Sequence, residues 1–297
     1  MRASLGIWIE AARPKTLWAA VSPVLIGISI AFAREVFHLP SAILAMTGAI
    51  LIQVGTNFYN DLADFEKGAD TSRRQGPRRA VASGLISQSS MRAATAVTFL
   101  AAIASGVYLM MRGGLPIVAI GVSSILFGLL YTGGKYSLAY LGIADVFVLV
   151  FFGPVAVAGT YFVQALEWPT LVWIAGLAPG LLSVGILLVN NIRDIAEDRE
   201  AEKRTIVVRL GRAFGIRAYF GCMLLASLMP PVLWLWFDAP ATIMISLLAT
   251  PLFIQAFSRL KSIPSTESEK LNPVLAQTAK NLLVFSILFS IGWLLSA

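Results

Sequence analysis

Residues 41–70 read SAILAMTGAILIQVGTNFYNDLADFEKGAD, and the change of character partway through decides the fold. From Ser41 to Tyr59 there is no Asp, Glu, Lys or Arg; from Asp61 to Asp70 there are four acids. An uncharged run of this length spans the hydrocarbon core of a bilayer as a helix rising about 1.5 Å per residue. The acids that follow then lie at a membrane surface. The same kind of run recurs along the chain, at about 17–33, 41–59, 93–111, 115–131, 140–163, 169–191, 214–236, 239–257 and 278–296. Pro23, Pro154, Pro179, Pro230 and Pro251 fall inside these runs, where membrane helices tolerate them as kinks because neighbouring groups re-satisfy the freed backbone. The pattern predicts an all-α polytopic membrane protein with nine transmembrane helices, forming a single domain over 1–297.

Composition agrees with that reading. Of 297 residues, 57% are hydrophobic and 13% charged, with a mean hydropathy of +0.78, whereas soluble domains are roughly a quarter charged. One cysteine, Cys222, and one histidine, His38, exclude a disulfide framework and most zinc chemistry. The amino-terminal residues carry no cleavable signal pattern, so the first apolar run is expected to stay in the mature protein.

The net charge of +7 could point to nucleic acid, but the positions of the basic residues say otherwise. With the amino terminus cytoplasmic, the inner segments hold 21 of the 23 Lys and Arg residues, and the outer connections hold only Arg34 and Arg112. Cytoplasmic loops of membrane proteins show this excess. The lipid bilayer is therefore the expected partner of the basic residues, and nucleic acid is not.

Nine of the sixteen acids concentrate in two inner loops, Asp61, Asp64, Glu66 and Asp70 in one and Asp194, Glu197, Asp198, Glu200 and Glu202 in the other. Asn57, Asp61 and Asp64 shifted by 133 positions fall on Asn190, Asp194 and Glu197, which suggests two pseudo-repeats of about four helices. At about 100° per residue, Asn57, Asp61 and Asp64 share one helix face, and so do Asn191, Asp194 and Asp198. Asn190 and Asn191 both remain candidates for the second asparagine. Two carboxylates about 5 Å apart repel by roughly 3 kcal/mol at an effective dielectric near 20, so the clusters call for a cation. Oxygen ligands without His or Cys point to Mg²⁺ shared with substrate phosphates. Lys67, Arg73, Arg74, Arg78 and Arg79 follow the first cluster and Lys203, Arg204 and Arg209 the second, as partners for phosphate oxygens. A charged diphosphate head at these loops and an apolar tail among the helices describe a membrane-soluble prenyl donor.

At these residues the chain resembles the UbiA-type intramembrane prenyltransferases, and most of all their bacterial 1,4-dihydroxy-2-naphthoate branch. The likeness covers nearly the whole chain. It runs through Ala12–Leu17, Asn57–Asp70 with Asn60 inside it, Gly76-Pro77 and Gly84, Tyr131-Thr132, Asn190–Asp194, Lys203-Arg204-Thr205 and Val208–Gly211. Gly68 stands where many members carry a third aspartate, and Asp70 follows two residues later, as in the naphthoate branch.

The resemblance implies a nine-helix bundle around a central cavity, with Asp61, Asp64, Asp194 and Asp198 holding Mg²⁺ and a polyprenyl diphosphate and Asn57, Asn60 and Asn190 or Asn191 assisting. Lys67, Arg79, Lys203 and Arg204 would contact diphosphate. Tyr131 would stabilise an allylic cation through its ring face, with Lys135 supporting the same region, and Lys15 or Arg13 would meet the acceptor's carboxylate. The implied reaction prenylates 1,4-dihydroxy-2-naphthoate with loss of diphosphate and CO₂, at the bacterial inner membrane, in the menaquinone pathway. No oligomeric state is implied.

Gln53, one helical turn before Asn57, is expected to line the cavity, while Asp145 reads as a helix cap or structural partner. Gly176 and Gly180 form a spacing typical of helix packing. The alternatives are another aromatic-acceptor prenyltransferase or, from a different class, a secondary transporter. A transporter would place its acids near mid-membrane, whereas these lie at one surface beside phosphate-type cations. The absence of any Asp-Gly dipeptide argues against CDP-alcohol phosphotransferases.

Overall fold

Most residues of the helix over 170–193 are buried, which puts it at the centre of the larger apolar core. The structure, a computed structural model, describes residues 4–68, 76, 78–134 and 137–297. In chain order the helices are α1 (Leu5–Ala12), α2 (Pro14–Ala33), α3 (Leu39–Glu66), α4 (Gln88–Gly113), α5 (Leu115–Thr132), α6 (Leu138–Leu141), α7 (Ala144–Phe151), α8 (Pro154–Ala165), α9 (Thr170–Arg193), α10 (Ile195–Glu200), α11 (Ile206–Leu210) and α12 (Arg212–Trp236). A 3₁₀ segment (Ala241–Ala249) then runs into α13 (Thr250–Ser262), and a second (Ser265–Lys270) into α14 (Leu271–Leu294). Among the described residues nine helical segments are long and apolar enough to cross a membrane, and they coincide with the nine runs read from the sequence.

Around α9 pack α2, α7, α8, α12 and α14, and their apolar faces share one core that includes Ile26, Val157, Leu188, Tyr219 and Phe285. On the other side α3 lies along α4 and also meets α2, α5 and α8. The two closest antiparallel partnerships of the motif-bearing helices, α3 with α4 and α9 with α12, occupy corresponding places in the two pseudo-repeats.

Three features depart from the sequence reading. The fifth run is not one helix: it breaks at Phe152–Gly153 and restarts at Pro154, whose missing N–H makes it a natural first residue of α8. Gly176 and Gly180 of α9 face that break; a Cβ at either would stand 2.4–2.5 Å from the Leu149 carbonyl oxygen or the Pro154 Cα. The eighth run starts as a 3₁₀ segment and becomes α-helical at Thr250-Pro251. Finally, α1 is an extra short helix whose Trp8 meets Phe58 edge-on at 5.6 Å, over a small core of Ala11, Leu62, Val81 and Met91. That core lies directly under the first acidic motif.

Candidate active site

Helix α3 continues without interruption through Asn57, Asn60, Asp61 and Asp64 to Glu66, so the predicted polar face forms. Each side chain on it is tied to a different neighbour. Asn57 Nδ2 donates to the Ala12 carbonyl at 2.8 Å and to Thr16 Oγ1 at 3.1 Å, while its Oδ1 accepts from Gln53 Nε2 at 3.3 Å. These bonds dock the α1–α2 junction onto α3. Asn60 Oδ1 accepts from Thr132 Oγ1 at 2.9 Å, tying in the end of α5. Asp61, 1% exposed, accepts the backbone N–H groups of Ala80 and Val81, both at 3.0 Å. Asp64 pairs with Arg79, and its Oδ1 is buried without accepting a hydrogen bond from any described residue.

The second motif is built differently. Helix α9 stops at Arg193, and Asp194 sits at the break before α10. Arg193 is buried and grips the Asp194 carboxylate with Nε and Nη2, both at 2.6 Å. The same guanidinium donates to Asn190 Oδ1 and Asn272 Oδ1, each at 2.8 Å, and so fastens the motif to the start of α14. Asn190 is therefore held by Arg193, whereas the buried Asn191 lines a small void with Tyr131. After α10 the chain turns through Glu202 in the left-handed region (φ 56°), and the Lys203 N–H reaches back to the Asp198 carbonyl at 2.8 Å. That turn returns the Lys203 side chain over Asp198.

Lys203 joins the two motifs. Its Nζ lies 3.8 Å from Asp64 Oδ1 and 3.8 Å from Asp198 Oδ1. Burial pushes the Asp198 carboxyl up to about 7; Lys203 opposes the rise, and Asp194, Glu197 and Asp64 add to it. Lys67 donates to the Thr132 and Gly134 carbonyls, capping α5, and stands 4.5 Å from the centroid of the Tyr140 ring, with Lys203 at 5.8 Å from the same ring. Burial pulls the Lys67 ammonium below its usual range, with Asp64 raising it and Lys203 lowering it further. An open cleft of about 470 Å³ lies here, lined by Lys67, Gly68, Gly134, Tyr140, Glu200, Ala201 and Glu202. Gly142 (φ 72°) lets the 140s loop meet the second motif: a Cβ there would stand 2.0 Å from the Arg204 carbonyl oxygen.

The structure thus brings together Asp64, Asp198, Lys203, Lys67 and Arg79, while Arg204 and Lys15 are exposed. The four aspartates expected to share a cation divide instead. Asp61 holds a backbone turn and Asp194 holds Arg193, and among the described residues no three His, Cys, Asp or Glu side chains form a ready-made metal cage. Asp64 and Asp198 do fit a hard cation that takes further oxygens from its substrate: two carboxylates face one ammonium, and one of their oxygens lacks a donor among the described residues. Asp70, Arg73, Arg74, Pro77 and Lys135 lie outside the described residues. Tyr140 and Arg193 were not singled out from the sequence. Arg193, flanked by Asn190 and Asp194 at a helix end, carried a readable signal; Tyr140 carried none beyond its place beside an inner loop.

Known proteins share this arrangement of helices. Residues 20–294 match the UbiA prenyltransferase family. The chain is 33% identical to a 1,4-dihydroxy-2-naphthoate octaprenyltransferase of Escherichia coli (strain K12), covering 97% of this chain and 95% of that one. It is 34% identical to the protein of the same name from Mycobacterium tuberculosis, covering 96% of each. In fold it is similar to an apo UbiA homologue from Aeropyrum pernix K1 (TM-score 0.71, 17% identity, 93% of this chain and 97% of that one). A UbiA homologue from Archaeoglobus fulgidus bound to GPP and Mg²⁺ is also similar (TM-score 0.60, 15% identity, 96% and 99%). With nine helical segments long and apolar enough to cross a membrane among the described residues, two acidic motifs joined through Lys203 and a family match over nearly its full length, this chain belongs to the UbiA prenyltransferase family.

Proposed function

We propose that this prenyltransferase moves a polyprenyl group from an allylic polyprenyl diphosphate to 1,4-dihydroxy-2-naphthoate, releasing diphosphate and CO₂ and giving demethylmenaquinone. The observation that carries the reading is the Lys203 ammonium 3.8 Å from both Asp64 and Asp198, which joins the two acidic motifs in one site. Support for the naphthoate acceptor comes from the relatives of that name. Mg²⁺, when bound, supplies charge neutralisation for the departing diphosphate.

The chain's own residues do the rest. Asp64 and Asp198 offer the anionic rim that holds the cation, and Lys203 and Lys67, both beside Tyr140, present ammonium groups to diphosphate oxygens. Arg79 orients Asp64, and Arg193 orients Asp194. Tyr131, beside Asn191, presents its ring where positive charge develops on the allylic carbon. Asp61 fixes the 80–81 turn against α3 and so holds Arg79 in place.

The 21-to-2 division of basic residues supports an orientation with the amino terminus and both acidic motifs at the cytoplasmic face of a bacterial inner membrane. One assay tests the reading. Purified protein with Mg²⁺, polyprenyl diphosphate and dihydroxynaphthoate should release diphosphate and CO₂ in equal amounts. Diphosphate without CO₂ would move the acceptor to another aromatic compound, and no diphosphate release would overturn the enzyme reading.

A further inference from the structure

One acid stands apart from the rim. Asp145 occupies the first turn of α7, where Ile143 is the N-cap residue and no side chain caps the helix. Its Oδ1 is buried and has no hydrogen-bond partner among the described residues. Asp145 lines a void of about 10 Å³ together with Tyr131 from α5, Asn191 and Leu187 from α9, and Gly142 and Thr205 from the two loops that pack together. A buried carboxylate oxygen without a donor is costly unless a ligand supplies one.

The chemistry of the reactants identifies that donor. The void has room for about one oxygen atom with its hydrogen, not for a ring. A prenyl diphosphate has no hydrogen to donate, and its charge would be repelled by Asp145. The aromatic acceptor carries O–H groups. Asn191 lies one helical turn before Asp194, and the void shares no lining residue with the cleft.

We propose that Asp145 is the acceptor-side base of the reaction: it takes the hydrogen bond, and then the proton, of the acceptor hydroxyl next to the carbon that becomes prenylated. This rests on the naphthoate reading above. As the new C–C bond forms at the ring carbon bearing the carboxylate, the diphosphate leaves with the C–O electron pair. The neighbouring O–H becomes a ketone, and its proton passes to Asp145. That ketone stands β to the carboxylate. When the C–CO₂ bond breaks, its electrons return to the ring, the ketone oxygen recovers the proton from Asp145, and CO₂ departs. No net proton and no redox equivalent is consumed.

The test compares wild type with D145N, a near-isosteric change, in purified protein with Mg²⁺. D145N is expected to lower kcat for prenyl transfer at least about 100-fold, the range of general base catalysis. Its KM for prenyl diphosphate, and the slow release of diphosphate to water measured without acceptor, should stay within about twofold of wild type. D145N within threefold of wild-type transfer would overturn the proposal, and so would loss of acceptor-free release, which would place Asp145 on the donor side. A dihydroxynaphthoate methylated on the hydroxyl adjacent to the carboxylate-bearing carbon provides a check on wild-type protein alone. Turnover as fast as the parent acceptor would also overturn the proposal. Wild type that yields no CO₂ from dihydroxynaphthoate defeats the functional reading instead, whatever D145N does.

Discussion

Asp61 and Asp198 come from the same kind of acidic loop, yet their surroundings give them different work. Asp61 accepts two backbone N–H groups, and hydrogen bonds to a charged group contribute about 1.5–3 kcal/mol each. D61A should therefore lower unfolding stability by at least about 2 kcal/mol, seen as a drop in melting temperature in detergent, as well as stopping turnover. A melting temperature equal to wild type would show that the 80–81 turn does not depend on it. Asp198 instead sits partly protonated near neutrality, its carboxyl raised to about 7 by burial. A cation binds the carboxylate form, so Mg²⁺ binding at pH 7 should release protons and should weaken as pH falls below about 7. Calorimetry in buffers of different ionisation enthalpy reads this directly. At pH 8.5 the release should shrink, and in D198N it should disappear.

At the scale of elements, the spans were legible because length and absence of charge suffice to identify a membrane helix. The matching asparagines and aspartates were legible too, because α3 keeps a helical period past the membrane edge. What the period could not show was that α9 stops at Arg193, which separates Asp194 from Asp198 and gives each its own partner. Nor could it show that Asp61 spends its oxygens on Ala80 and Val81, since that choice depends on how a loop folds back. The Gly176/Gly180 spacing predicts close packing, and its target is the Gly153–Pro154 break in the fifth run. With backbone against backbone there is no side chain to yield. Gly176→Ala or Gly180→Ala should destabilise by about 1–3 kcal/mol, the usual range for overpacking, measured as loss of thermal stability in detergent. Gly121→Ala, whose Cβ meets nothing within 4 Å, is the matched control and should be neutral or slightly stabilising.

For the whole molecule, the split of 21 basic residues to 2 describes an object with two chemically unlike ends, and the acidic motifs sit at the basic one. Within that field the site of the ligand-free protein carries its own counter-ion. A lone divalent ion must compete with the Lys203 ammonium for Asp64 and Asp198. One that arrives with a diphosphate hands that ammonium a new partner. Metal and diphosphate are then thermodynamically coupled, each tightening the other by the same factor. Titration of Mg²⁺ should show weak affinity alone and at least about fivefold stronger affinity with inorganic pyrophosphate present. In K203M the affinity for Mg²⁺ alone should rise and most of this cooperativity should vanish. A chain built in this way keeps idle metal from settling in its catalytic mouth until a substrate comes with it.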